Sequence, residues 1–549
     1  MMMFFKDLFS RCSTSVSTVA GAALLIAVFG VVSRIFGLLR DRILASNFGA
    51  GDVLDAYYAA FRIPDFLYAI LVLGALSAAF IPIFTRTYER ESSEDAWRLL
   101  SEFLAVLVGV LAIVAGAVAL FMPHLIFLVA PGFEGEKREM AIEFSRIMLL
   151  SPVLLGASAA FGGALVARGA FLAYAIAPIL YNVGIIFGAV VLVPIMGVSG
   201  LAWGVILGAG LHFVLQMLST ARKGYRFLVP RSMPWKSLKL RRIVRLMGPQ
   251  MFSVASNQIH FWVITLFASV MASGSLAVFS FANNLQSIPL AIFGVSFAVA
   301  AFPKLSSAAA RDDRRELARV FARTLRRVLY FVIPASVLLI LLRAEIVRVV
   351  LGAGVFDWED TILTFQVLGL LSISLFAQSL LPLLSRAFYS LEDTKTPFVI
   401  ALFSQAVNVA LVLLFFERWG VYALAAAFSA ASTLQILFLA FALRGRLGRF
   451  ANGGTRRSLS RVLIATAAAA IAVQVVKQFF GNVTDLDTFW EVFGRLVFAG
   501  FAGVGMYIIM SHWLRIEEFC DFRKKVYMRL FGKPKTLAMA REEREMGEM

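Results

Sequence analysis

The sequence predicts an all-α polytopic membrane protein with about 14 transmembrane helices. Three observations predict it. First, the 549 residues are 60% hydrophobic, with mean hydropathy +0.82, whereas soluble domains run at roughly 45–50% apolar. Second, apolar stretches of about 20 residues, long enough to cross a hydrocarbon core, recur from end to end. Third, cations gather in alternate loops, as in a chain that threads back and forth through a bilayer.

The spans fall at approximately 17–46, 54–85, 98–121, 140–168, 174–194, 199–221, 243–272, 276–303, 318–342, 361–388, 396–416, 420–443, 459–480 and 489–513. The N-terminal run has Lys6 and Arg11 ahead of an apolar stretch from Val19, like a signal peptide. It lacks a small-residue cleavage signature and runs on into Arg34 and Arg40, so it reads as a retained first span. The segment after span six carries Arg222, Lys223, Arg226, Arg231, Lys236, Lys239, Arg241, Arg242 and Arg245. Segments 47–53, 195–198 and 273–275 carry no cation. Positive loops stay in the cytoplasm, so both termini are expected to be cytoplasmic. The net charge of +18 is then explained by topology and by anionic lipid headgroups, not by nucleic acid. Residues 311–327 read as an amphipathic lead-in to span nine lying on anionic lipid, with a partner-binding helix as the alternative.

The chain repeats itself. Ala45, Ser46, Gly51 and Ala59 match Ala268, Ser269, Gly274 and Ala282 at an offset of 223. Gly197-Val198 and Leu201-Ala202 match Gly420-Val421 and Leu424-Ala425 at the same offset. Six spans per repeat is an even number, so the halves share one orientation and are related by an axis along the membrane normal. Such halves enclose a cavity and work by alternating access. The expected division is an N-terminal bundle at 1–222, a C-terminal bundle at 223–445, two extra spans at 446–514 and a charged cytoplasmic tail at 515–549. Gly37, Gly74, Pro64 and Pro289 are hinge candidates, or static kinks and packing positions.

Charges inside spans are costly and mark cavities or partners. Arg34 lies about 25 Å along a straight helix from Ser17, too far to snorkel back to the cytoplasmic side. Arg34 and Asp41 are seven apart and share a helix face, as are Asp55 and Arg62 at the start of span two. Two readings stand side by side: snorkelling at the outer interface, or a cationic lining with Arg34 and Arg40 at its centre. Arginine suits phosphate because its planar fork donates to two oxygens at once. Span eight carries Asn283, Asn284, Gln286 and Ser287, uncharged groups that serve either as interhelical glue or as a polar cavity wall. Two distant cysteines, Cys12 and Cys520, and four scattered histidines offer neither a disulfide framework nor a metal site. No nucleophile–base pair points to an enzyme, and no phosphate-binding loop points to ATP.

The stretch 33–84 is similar to the opening spans of the MurJ/MviN lipid II flippases. The shared elements are Ser33-Arg34, Gly37, Arg40-Asp41, Phe48-Gly49-Ala50-Gly51, Asp55-Ala56, Pro64, Gly74-Ala75 and Ala79-Phe80-Ile81-Pro82. Ala130-Pro131-Gly132-Phe133, Met247-Gly248-Pro249, Ala272-Ser273-Gly274-Ser275 and Asp393-Thr394-Lys395-Thr396-Pro397 extend the resemblance over the whole chain. It implies the fold of the multidrug/oligosaccharidyl-lipid/polysaccharide (MOP) exporters. It also implies a cargo, lipid II: an undecaprenyl-pyrophosphate bearing a disaccharide pentapeptide, flipped to the outer leaflet for peptidoglycan synthesis. The implied lining residues map to Arg34, Arg40 and Asp55, and the last two spans are implied to hold the lipid tail. Two positions depart from the family. Its Asp-Arg-x-x-Glu in span eight reads Asn283, Asn284 and Ser287, and its basic pair in span two reads Tyr68 and Ala69. The candidate substrate-binding set is therefore Arg34, Arg40, Asp41, Asp55, Arg62, Asn283, Asn284 and Ser287. No cofactor is expected, the coupling ion is left open, and the chain is expected to act as a monomer. A related lipid-linked polysaccharide cargo and a cation-coupled drug exporter are the alternatives.

Overall fold

The computed structural model describes residues 19–73, 76, 80–228, 237–448, 453–483 and 488–531. Cys12, Gly74, the Ala79 match and the tail beyond residue 531 lie outside the described residues. Among the described residues there is no strand. The helices are α1 (Val19–Phe48), α2 (Asp52–Ala60), α3 (Arg62–Tyr68), α4 (Ile81–Arg90), α5 (Ser93–Val129), α6 (Gly135–Met148), α7 (Leu150–Ala167), α8 (Phe171–Phe187), α9 (Gly200–Arg222), α10 (Leu238–Ser269) and α11 (Ser275–Pro289). They continue as α12 (Ser296–Ala310), α13 (Arg314–Leu341), α14 (Arg343–Val350), α15 (Trp358–Ile373), α16 (Leu375–Ser390), α17 (Lys395–Trp419), α18 (Val421–Leu447), α19 (Gly453–Val483), α20 (Phe489–Trp513) and α21 (Glu517–Phe531).

Among the described residues, nine helical stretches are long and apolar enough to cross a membrane, or ten if the bent pair α15–α16 counts as one span. One of them, Phe171–Arg222, has 52 residues. As a straight rod it would measure about 78 Å, far more than a hydrocarbon core of about 30 Å. It is instead an antiparallel hairpin with its turn at Gly197, where φ is 68°. Gly184 lies against Gly208, Gly188 against Gly204 and Gly200 against Val193, so close that any Cβ would strike the facing backbone. Lipid tails supply no hydrophobic drive for helix pairing, and small residues that let backbones touch take its place.

Apolar length alone does not reach fourteen, because the expected first, second and seventh spans are charged or broken. α1 carries Arg34, Arg40, Asp41 and Arg42, and α10 carries Lys239, Arg241, Arg242 and Arg245. The continuous span expected at 54–85 is interrupted at Phe61 and by a π turn at Ala69–Leu73. The break at Phe61 puts Pro64 in the first turn of α3, where its missing N–H deprives no carbonyl of a partner. The span expected at 276–303 has a matching π turn, Leu290–Val295, directly after Pro289. A proline that cannot donate, and whose ring crowds the preceding turn, explains that local widening.

The chain forms two compact units. The first comprises Met1–Leu285, Val350–Val367 and Gln405–Ala427. At one end of it Phe80, Phe84, Trp97, Phe103 and Phe161 form an aromatic core, with Phe80 and Phe103 stacked at 4.5 Å. The second comprises Gln286–Val349, Leu368–Ser404 and Phe428–Met549. Its core joins α12, α13 and α16 through residues such as Phe321, Leu383 and Phe388. There α19 and α20 pair and rest on α13, where Tyr507 Oη donates to the Tyr330 carbonyl at 2.7 Å. Buried Glu345 takes Lys477 at 3.0 Å and Arg495 at 3.2 Å. At the end of the stretch 311–327, Arg326 pairs with Glu518 at 3.0 Å and Arg327 with Asp521 at 3.3 Å, both on α21.

Turn stereochemistry repeats with the sequence. Positive φ occurs at Gly169 and Glu392 and at Gly197 and Gly420, each pair 223 apart, and at Gly224 and Gly448, 224 apart.

Candidate functional site

The candidate residues gather at the start of the first unit. α1 is held in helix through its polar end by continuous apolar flanks, and places Arg40 and Asp41 next to each other. Arg40 Nε and Nη2 donate to Asp41 Oδ1 at 3.0 and 2.7 Å, and its Nη1 donates to Asn182 Oδ1 at 3.2 Å. Asn182 Nδ2 donates to the Pro178 carbonyl at 3.0 Å, which fixes which way the amide faces. The other Asp41 oxygen accepts from Asn284 Nδ2 at 2.9 Å. The result is one chain, Asn182–Arg40–Asp41–Asn284, tying together α8, α1 and α11. Asp41 is only 2% exposed. A carboxylate so deeply buried is tolerable because an arginine fork and an amide saturate it.

Arg62 opens α3. Its Nε donates to Thr265 Oγ1 at 2.6 Å, and its guanidinium lies 5.4 Å from the Phe261 ring. One of its five N–H groups is used on Thr265, leaving a fork available. Asp65, one turn on, is exposed and within electrostatic reach of Arg62, Tyr57, Tyr68 and Tyr181. Tyr57, Tyr58 and Tyr181 are in turn within reach of Arg40. These phenols connect the Arg40 and Arg62 groups into one polar cluster. Arg34 sits half-buried on α1. The cluster thus sets two arginines, Arg40 and Arg62, and two carboxylates, Asp41 and Asp65, among hydroxyl and amide donors. Such a lining can receive a phosphate while still exchanging internal partners.

Asp55 does something different. One of the lining residues that the resemblance implies, it takes Lys137 as its charged partner. Asp55 is fully buried and accepts from Lys137 Nζ at 2.8 Å, from Gly274 N at 2.8 Å and from Ala277 N at 2.9 Å. The carboxylate therefore caps the N-terminus of α11, where unpaired N–H groups and the helix dipole favour an anion. Lys137 also meets Asp52 at 2.6 Å, and Ser273 Oγ donates to Asp52 at 2.7 Å. Burial raises the Asp52 carboxyl, but the Lys137 and Ser273 bonds outweigh it and hold the group below the usual carboxylate range. Gly274 has φ of 84°, and a side chain there would strike the Ala50 carbonyl. Asp360 Oδ2 accepts from Ala50 N at 2.9 Å, and Val355 N donates to the Ser46 carbonyl at 3.0 Å, closing the end of α1.

Of the eight candidates, the structure joins Arg40, Asp41 and Asn284 directly, and puts Arg62 in the same cluster. Arg34 and Asn283 are half-buried on α1 and α11. Asp55 belongs to the neighbouring cap, and Ser287 lies in the second unit. Sequence reasoning passed over Asp65, Lys137, Asn182 and Thr265. Only Asp65 carried a local signal, its position three residues after Arg62. Among the described residues no group of three or more His, Cys, Asp or Glu is arranged to hold a metal ion.

Comparison with known proteins converges on one family. A family profile described as lipid II flippase MurJ matches residues 44–492. A probable lipid II flippase MurJ from Rhizobium tropici is 30% identical over 432 residues, covering 76% of this chain and 79% of that one. The solved structure of a lipid II flippase MurJ in an inward closed conformation superposes with TM-score 0.73 at 22% identity, covering 90% of this chain and 99% of that one. An inward-facing multidrug transporter of the MATE family, within the MOP superfamily, superposes with TM-score 0.63 at 16% identity, covering 78% and 98%. At those identities both structural likenesses are ones of fold.

Proposed function

The chain belongs to the lipid II flippase MurJ family, and from that premise we propose that it flips lipid II from the cytoplasmic to the outer leaflet for peptidoglycan synthesis. The observation that carries the reading is the Arg40–Asp41–Asn182–Asn284 chain, with the Arg62 fork beside it. It is a multi-pass membrane protein, and transport rather than covalent catalysis is the activity its family name describes.

In this reading the pyrophosphate first meets Arg62, whose fork is the more open, and Arg34. Arg40 follows by releasing Asn182 or one Asp41 bond to a phosphate oxygen. Asp41 then keeps the hydrogen bond from Asn284 and its remaining bond from Arg40. Asp65 and the surrounding phenols offer acceptors and donors to the sugar and peptide groups. Asn283 extends that uncharged surface where the family pattern carries a charge. The halves 1–222 and 223–445 alternate access, and 446–514 accommodates the polyprenyl tail. The protein works as a monomer in the inner membrane, with both termini cytoplasmic. It needs no cofactor and is driven by an ion gradient or the membrane potential.

The test is complementation of a strain depleted of its own lipid II flippase. Wild-type chain should restore growth. An Arg40→Ala, Arg62→Ala double variant, expressed to the same level in the membrane, should not. Rescue by the double variant would remove the site assignment. Failure of well-expressed wild type would favour a related polyprenyl-linked cargo.

A further inference from the structure

Outside that cluster, the first unit has a second basic site. A cavity of about 450 Å³ opens among α4, α5, the end of α7 and the turn after α9. Its cations are Arg168, Lys223 and Arg226. Among the described residues none of the three has an acidic partner. The one acid on its wall, Glu94, is engaged by Arg98 at 2.9 Å. Arg168 lies over aromatic rings, its guanidinium centre 4.2 Å from Tyr88 and 5.9 Å from Trp97. Stacking engages the face of a guanidinium and leaves its in-plane N–H edge available for an anion. The turn that presents Lys223 and Arg226 is fixed from below. Buried Tyr225 packs edge-on to Trp97 and Phe161, its hydroxyl is 3.3 Å from Ser101 Oγ, and Leu228 N donates to the same oxygen at 3.2 Å.

The internal repeat supplies a control. The second unit has a cavity of about 530 Å³ at the equivalent turns. At the offset of 223, Gly169 corresponds to Glu392 and Arg168 to Leu391; at the offset of 224 that aligns Gly224 with Gly448, Arg222 corresponds to Arg446 and Lys223 to Leu447. There Arg446 is neutralised by Asp393 at 3.0 Å, Asp312 and Glu392 also line the wall, and the stacked arginine is gone. Two copies of one architecture have diverged, one keeping its cations unpaired and the other cancelling them.

We propose that the Arg168–Lys223–Arg226 cavity is a binding site for the phosphate of an anionic lipid headgroup. A lipid is favoured over soluble phosphate because Phe227, 62% exposed, flanks the cations. An apolar side chain beside a cationic pocket rimmed by Trp and Tyr is the arrangement of a membrane interface.

The test titrates full-length protein in detergent with phosphatidylglycerol and, separately, with inorganic phosphate, counting bound species by native mass spectrometry. Wild type should retain phosphatidylglycerol and not inorganic phosphate. Arg168→Gln should weaken retention about fivefold, and Lys223→Gln with Arg226→Gln about twentyfold, at about one fivefold factor per cation. The latter pair lies on the surface and leaves the aromatic packing intact, so it reports even if Arg168→Gln misfolds. Arg446→Gln, and Arg242→Gln with Arg245→Gln, should leave retention unchanged. Three results would each overturn the proposal: equal loss from the Arg242/Arg245 pair, inorganic phosphate binding as tightly as the lipid, or no change in any variant.

Discussion

The bond between Asp55 and Lys137 lends itself to a worked prediction. At 2.8 Å the gross attraction is about 6 kcal/mol for an effective dielectric near 20. Desolvation of a fully buried carboxylate offsets several kcal/mol of this. Removing one partner leaves the other charge uncompensated, at a cost of about 3–5 kcal/mol for buried pairs. Asp55→Asn should lie near the lower end, about 3 kcal/mol, because Lys137 keeps Asp52 at 2.6 Å. It would also turn an amide N–H toward Gly274 N or Ala277 N, weakening the α11 cap. Lys137→Met should cost about 2 kcal/mol, since the two backbone N–H groups still hold the carboxylate. The partners are in contact, so the double variant should cost less than the sum by about 2 kcal/mol. The assay is chemical denaturation in detergent micelles, with hydrogen exchange at Gly274 and Ala277 as the local readout. Additivity within about 0.5 kcal/mol, or unchanged exchange at those two amides in Asp55→Asn, would refute the reasoning.

Other expectations follow from equally specific contacts. Glu345→Gln strands Lys477 and Arg495 together and should cost about 3 kcal/mol, seen as a lower thermal midpoint, whereas exposed Glu359→Gln should leave it unchanged. Gly188→Val drives a side chain into Gly204 and should destabilise by about 3 kcal/mol or prevent insertion. Gly210→Ala, where a Cβ meets nothing, should be neutral or gain about 0.5 kcal/mol. At Asp393 burial raises the carboxyl, but Thr396 N–H and hydroxyl and Arg446 pull it below its ordinary value. A depressed carboxylate stabilises the fold above its unfolded value, and that stability disappears as pH falls through the native one. Asp393→Asn should therefore flatten the acid limb of the stability–pH curve and leave its neutral slope unaltered, as read by unfolding midpoints across pH.

Much of the fold was legible because bilayer physics writes itself into hydropathy. α5, α13, α17–α18 and α19–α20 are long and apolar, and each falls where the sequence placed a span. What hydropathy alone could not show were the distant hydrogen-bond partners that hold charged residues inside helices. α1 passes through a polar cluster because Arg40 finds Asn182, 142 residues away, and Asp41 finds Asn284, 243 away. The π turns after α3 and α11 depend on hydrogen bonds displaced by one residue and on neighbouring packing, which no local pattern encodes. Within the site, Arg40-Asp41 stood out as adjacent charges in an apolar run. Lys137 did not, since it reads as an ordinary cation in a polar helix start until Asp55 and Asp52 are brought to it. The repeat was legible in sequence identities and reappears in positive-φ turns, because a backbone that reverses tightly leaves the same mark in both copies.

The proposed function requires the arginines of the first unit to handle a diphosphate. The most direct measurement labels outer-leaflet lipid II in cells that depend on this chain. Arg40→Ala and Arg62→Ala should each lower the labelled fraction, Arg40→Lys should restore part of it, and all three proteins should reach the membrane in wild-type amounts. Full labelling in the Arg40→Ala, Arg62→Ala double variant would contradict the claim.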